Sequence, residues 1–318
     1  MNTFQQYLVE EFAEDYQERR LTRRDALKLI VSVTGSAMVA ESILAACAPV
    51  SESTPAAFTT SEPVGNPPQS RQATESSPTE PSSINVSPDD PSIHAEPIEF
   101  SGEGATLLGY LARPKQAGSA PVILVCHENR GLNPHIEDVT RRLAKAGYVA
   151  LAVDLLSRQG GSPRVGEANV PGALGNIAPA QFASDFKSGW NYLQDQPFAD
   201  TKRVGMVGFC FGGGVTWLMA VEMPELKAAV PFYGPPPAEE DLPRIQAAVL
   251  AIYGGLDGRI TGTADRIEAA MLANNKVFEK VIYPDADHAF HNDTGSRYNP
   301  EAARDAWART LDWFGRYV

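Results

Sequence analysis

Val204-Gly205-Met206-Val207-Gly208-Phe209-Cys210-Phe211-Gly212-Gly213-Gly214 decides how this chain folds. Val204–Phe209 is a short apolar run of the kind found in a buried strand, and Phe211–Val221 suits a helix. Cys210 sits between them in a G-x-C-x-G-G pattern. A turn that passes from strand to helix so abruptly is strained, and side chains two positions to either side of its centre would collide with neighbouring backbone, so glycine is needed there. The bend lifts the Cys210 side chain above the end of the strand. The following helix aims its free N–H groups and the positive end of its dipole at the same point, which favours a thiolate and offers a donor to an oxyanion. The plainer reading is a glycine-rich helix start with a buried structural cysteine.

Working outward, strand and helix signals alternate. Strands are expected at Leu107–Ala112, Val122–Cys126, Tyr148–Val153, Ala228–Phe232, Ala248–Tyr253 and Lys280–Tyr283, and helices at His135–Ala146, Ala180–Leu193, Thr263–Leu272 and Pro300–Tyr317. This alternation implies an α/β fold, a doubly wound and mostly parallel sheet with helices on both faces. Active sites in such sheets lie at the carboxyl ends of the strands, so the residues just after each strand are the informative ones.

A cysteine nucleophile needs a base and a group to orient it, in the chain order nucleophile, acid, histidine. Asp257, in Tyr253-Gly254-Gly255-Leu256-Asp257, and His288, in Asp285-Ala286-Asp287-His288, each follow an expected strand. Taken singly, Asp257 could be a helix cap and His288 a surface-loop histidine; three residues in this order at three strand ends argue for catalysis. Asp285 and Asp287 stand too close to His288 in sequence to orient its ring from behind. Cys126 reads as core, His127 as a residue lining the pocket, and His135 as part of a helix start. His288 and His291 lack a third ligand at sensible spacing, so no metal is expected, and no cofactor either.

The segment from residue 95 to 318 resembles the dienelactone hydrolase family, the cysteine branch of the α/β-hydrolases, most specifically in Gly208-Phe209-Cys210-Phe211-Gly212-Gly213 and in His127-Glu128-Asn129-Arg130-Gly131. The resemblance implies cleavage of an ester or lactone by Cys210, with Asp257 and His288 completing a triad and Glu128 taking part in activation of the thiol. It also implies an oxyanion hole from the backbone N–H groups of Phe211 and Asn129, and a substrate carboxylate held by Arg158. One position departs from the pattern: Asn292 stands where the dienelactone-cleaving members carry a second arginine, and Arg297 is out of register. A carboxylesterase for uncharged esters is therefore an alternative, as is an inactive hydrolase fold serving as a surface binding lipoprotein.

The remainder reads as an address and a tether. Arg23-Arg24 precedes a mildly apolar run, Leu29 to Ala46, that ends in Leu44-Ala45-Ala46-Cys47. Residues 1–47 thus resemble a twin-arginine export signal closing on a lipobox, with Cys47 as the acylated residue. Residues 48–94 are dominated by Ser, Thr and Pro without apolar periodicity, and such a stretch cannot offset its ordering entropy. The expected location is the outer face of a bacterial membrane, held by a lipid anchor. A net charge of −12 argues against partnership with nucleic acid, which needs clustered cations. Three cysteines are too few for a disulfide scaffold.

Overall fold

Wholly apolar runs and amphipathic segments assemble into a single eight-stranded sheet in the computed structural model, which describes residues 1–47, 85–116 and 118–318. The strands are β1 (Ile93–Gly102), β2 (Ala105–Pro114), β3 (Ala120–Cys126), β4 (Val149–Val153), β5 (Ala199–Phe209), β6 (Ala228–Phe232), β7 (Ala248–Gly254) and β8 (Phe278–Tyr283). Their spatial order is β1-β2-β4-β3-β5-β6-β7-β8. β1 pairs with β2, and β2 with β4, antiparallel; all other pairings are parallel. β4, β6 and β7 are buried along their full length, which is why they read as continuous apolar runs rather than alternating ones. The fold is that of an α/β-hydrolase, with helices on both faces of the sheet.

The helices are α1 (Thr3–Gln17), α2 (Arg23–Thr34), α3 (Ala37–Ala46), α4 (Pro134–Lys145), α5 (Ser162–Val165), α6 (Val170–Gly175), α7 (Pro179–Gln194), α8 (Phe211–Glu222), α9 (Gly258–Thr261), α10 (Ala264–Ala273) and α11 (Pro300–Tyr317). α4 packs on β2 and β4, α7 on β1, α8 on β5 and β6, and α11 on β6 and β7. β1 was not anticipated from the sequence. It is an edge strand, half exposed and interrupted by Pro97, and the sheet tolerates this because an edge need not donate on its outer side.

At the N-terminus, residues 1–47 form three helices packed on the hydrolase unit. Asn2 and Gln5 close a reciprocal capping box at the start of α1. The apolar run Leu29–Ala46 is divided at Gly35, whose φ of 69° ends α2, and Ser36 caps α3 through the Val39 N–H. Among the described residues no helix is long and apolar enough to cross a membrane. Phe4, Leu8, Phe12, Ile30, Val33 and Leu44 are buried in the same core as the sheet residues. α1 and α2 rest on α6, where added Cβ atoms at Gly172 and Gly175 would run into Ser32 and Val33.

Part of the expected tether, residues 48–94, is described. Residues 48–84 lie outside the described residues, but 85–94 are docked. The buried Val86 donates its N–H to Asp138 Oδ1 at 2.7 Å and accepts from Arg141 Nε at 2.6 Å.

Candidate active site

β5 delivers Cys210 to the carboxyl edge of the sheet, and the backbone there bears the expected strain. Cys210 has φ 58° and ψ −120°, a conformation that costs a non-glycine residue roughly 1–3 kcal/mol and is kept only where the surroundings enforce it. A Cβ at Gly208 would strike the Gly212 carbonyl, and one at Gly212 the carbonyls of His127 and Cys126. The Cys210 N–H is fixed on Phe232 O at 3.0 Å, and its own carbonyl accepts from Gly213 N at 2.9 Å as α8 begins.

Asp257 follows β7 and is almost fully buried. Its two oxygens divide two duties: Oδ1 accepts the Ile260 N–H at 3.2 Å as the cap of α9, and Oδ2 accepts from His288 Nδ1 at 2.7 Å. The cap holds the carboxylate, and the carboxylate holds the ring. His288, after β8, is buried beneath the Tyr233 ring, with centroids 5.0 Å apart. A His288 ring nitrogen, the Cys210 sulfur and a Glu11 carboxylate oxygen lie within 4.8 Å of one another.

Electrostatically the sulfur and the imidazole form one titrating pair. Burial, then the neighbouring Glu11 carboxylate, raises the Cys210 pKa, so the resting form is a thiol. Burial disfavours a charged His288, yet a thiolate at Cys210 and the Asp257 carboxylate raise its pKa well above the usual histidine range. The imidazolium is therefore favoured once the sulfur is charged. Asp257 is held ionised, since its hydrogen bond to His288 outweighs the opposing burial.

Two residues at this centre were missed by the sequence reading, and both come from α1. The Tyr7 hydroxyl stands 3.2 Å from Cys210 Sγ and 3.3 Å from His288 Nε2. Both Glu11 oxygens lie 3.8 Å from the sulfur, and Oε1 accepts from Asn129 Nδ2 at 3.1 Å. The available signal was a glutamate on the apolar stripe Phe4, Tyr7, Leu8, Phe12, where a helix face turned to the core normally carries none.

A cavity of about 340 Å³ opens onto the sulfur, walled by Glu11 and Asp15 of α1 and by Glu128, Asn129, His288 and Arg297 among others. Glu128 Oε2 accepts from Asn292 Nδ2 at 2.7 Å, so the residue in the expected arginine position ties up the glutamate. Arg158 is engaged away from the sulfur. It grips both oxygens of the buried Asp185 at 2.6 and 2.7 Å, donates to the Glu103 carbonyl, and does not line the cavity.

His127 braces two loops, with Nδ1 donating to the Glu128 carbonyl and Nε2 accepting the Leu155 N–H, rather than lining the cavity. His291 stacks on Phe209, and burial, then His135 and Arg142, push its pKa well below the usual value. Cys126 is core. Glu11, Cys210 and His288 are the one group among the described residues with the spacing to hold a metal ion.

The model of the Dienelactone hydrolase family matches residues 107–318. This chain belongs to the dienelactone hydrolase family. Two bacterial proteins, each named "Putative carboxymethylenebutenolidase", are similar to it. The one from Methylorubrum extorquens is 37% identical over 233 residues, covering 69% of this chain and 80% of that protein. The one from Escherichia coli K12 is 35% identical over 252 residues, covering 74% and 92%. A solved Klebsiella pneumoniae structure, described as a putative dienelactone hydrolase, superposes with a TM-score of 0.67 at 35% identity, covering 71% of this chain and 99% of that one. This dienelactone hydrolase family member is accordingly a hydrolase. α1, which carries Tyr7 and Glu11, precedes the family match.

Proposed function

We propose that the protein hydrolyses a carboxylic ester or lactone through a thioester on Cys210. The observation that supports this most is the chain of contacts from Asp257 Oδ2 to His288 Nδ1 at 2.7 Å, and from that ring onward to a sulfur held on a strained bend. His288 takes the Cys210 proton on Nε2 while Asp257 fixes the tautomer. The sulfur forms a bond to the carbonyl carbon, and the electron pair of the C=O moves onto oxygen. The N–H groups of Phe211 and Asn129 receive that oxyanion, and a donor so placed is worth roughly two to three orders of magnitude in rate. Collapse of the intermediate breaks the C–O bond as His288 gives its proton to the leaving oxygen. Water, deprotonated by His288, then attacks the thioester, and the sulfur leaves with the proton returned.

A second reading concerns the acyl group, and it has support of its own. Arg158 is occupied by Asp185, and Asn292 stands in place of a cation. Neither supplies a free positive charge for a substrate carboxylate, so the favoured substrates are uncharged esters.

The Cys210→Ala variant tests the nucleophile. Its kcat for aryl ester hydrolysis is expected to fall by about three orders of magnitude or more, as for other triads, with an unchanged melting temperature. Retention of activity within a few-fold would remove the thiol from the mechanism. Comparing kcat/KM for a neutral aryl ester and a carboxylate-bearing lactone tests the substrate, and a preference for the lactone would count against the second reading.

A further inference from the structure

α1 is joined to the active site in three ways. Apolar packing is the first: the Phe4 ring meets Phe211, the residue after Cys210, at 5.0 Å, and Phe182 edge-on at 5.3 Å. Ion pairs around the rim are the second, with Glu14 on Arg259 at 3.1 Å and Asp15 on Arg297 at 3.6 Å, and Arg20, just past the end of the helix, on Asp287 at 3.0 Å. The third is the direct contact of Tyr7 with the sulfur and the imidazole.

The Tyr7 side chain is set with care. Its ring is buried, and the Arg259 guanidinium lies 4.7 Å from the centroid, itself tied back to Glu14 of the same helix. Its hydroxyl meets Cys210 Sγ and His288 Nε2, the two atoms that exchange the proton. In the resting pair Nε2 is an acceptor. Once Nε2 carries the proton it becomes a donor, and the Tyr7 O–H then points to the sulfur. A hydrogen bond to the charged form of an acid stabilises that form.

We propose that Tyr7 is a catalytic residue supplied by the N-terminal helix, its hydroxyl donating to the Cys210 thiolate, and that Glu11 on the same helix face sets the opposing negative charge. Tyr7 neither gains nor loses a proton overall. Burial, then Cys210 and Glu11, hold its own pKa well above the usual tyrosine value, so it remains a donor. The helix is then a standing wall of the active site. This conflicts with processing at Cys47, since cleavage there would carry Tyr7 and Glu11 away. The proposal rests on Cys210 being the reactive thiol.

The test is alkylation of the full-length chain by iodoacetamide across a pH series, with Cys210 resolved from Cys47 and Cys126 by peptide mass mapping. Tyr7→Phe keeps the ring beside Arg259 and removes only the hydroxyl. It is expected to move the Cys210 profile alkaline by ~1 pH unit, or about tenfold slower alkylation at neutral pH, the size of one hydrogen bond to a charged group. Glu11→Gln removes a negative charge 3.8 Å from the sulfur and is expected to move the profile the opposite way. A general loosening of the helix cannot produce shifts of opposite sign.

A Tyr7→Phe profile that overlays wild type overturns the proposal. So does recovery, from a bacterium with an intact twin-arginine system, of fully active enzyme whose N-terminus is Cys47. Failure of the thiol mechanism is a separate result, read from the activity of Cys210→Ala rather than from these titrations.

Discussion

A thiol buried beside a carboxylate does not ionise of its own accord, and at Cys210 burial and Glu11 both favour the neutral sulfur. The neighbour that gains charge as the sulfur does is the His288 ring, secured on Asp257. The same arithmetic of paired charge acts at Asp293, away from the reaction. Its oxygens accept from His135 and from Arg142. Partial burial opposes its charge, but these two partners outweigh it and hold its pKa far below the usual carboxylate range. A carboxyl group with a depressed folded pKa contributes stability that is present above its unfolded value of about 3.9 and is lost as the pH falls from there toward the folded value. In Asp293→Asn that contribution is missing at every pH. The melting temperatures of wild type and variant should therefore differ at pH 6 and converge as the pH falls below about 4. A constant gap from pH 6 to pH 2 would show that the carboxylate charge is not what holds this corner.

At the scale of elements, the layer α1–α3 raises a question of attachment. Leu8 is fully buried between α1 and α6, within reach of Gly175. Leu8→Ala should cost about 2–5 kcal/mol if the layer melts with the sheet. If the layer opens by itself, hydrogen exchange over residues 3–47 should accelerate while β3 and β5 keep wild-type protection. Exchange that accelerates evenly would mean one cooperative unit. The same elements show which parts of the molecule could be read from sequence. The parallel strands were legible because burial on both faces makes them continuous apolar runs, as in Val122–Cys126 and Ala228–Phe232. The meeting of Cys210, Asp257 and His288 at one edge of the sheet could be anticipated because strain and chain order constrain residue type. β1 was not, since an exposed edge imposes no such pattern. Tyr7 and Glu11 were not, because their meaning depends on a contact with residues some 200 positions away. The pairing of Arg158 with Asp185 was not legible either, because Asp185 lies on a different element.

Over the whole molecule the charges sum to −12, and the arginines around the cavity do little to reverse that sign locally. Arg20 is engaged by Asp15, Glu18 and Asp287, Arg297 by Asp15, and the exposed Arg130 stands 3.5 Å from Glu167. Glu11 and Glu128 lie deeper, beside the sulfur and at the cavity wall. Where the net charge of the whole molecule sets the field at the mouth, an approaching anion is repelled and a neutral ester is not. Long-range repulsion is screened by salt, with a Debye length of about 30 Å at 0.01 M falling to about 10 Å at 0.1 M. The expected signature is a kcat/KM for a carboxylate-bearing ester that rises several-fold across that range, while kcat/KM for its methyl ester stays flat. Glu11→Gln should improve the anionic substrate at both salt concentrations, because a charge in contact with the reacting atoms is not screened by bulk ions. If the anionic ester is instead hydrolysed faster at low salt, the field at the mouth is attractive, and a cation other than Arg158 guides the substrate in.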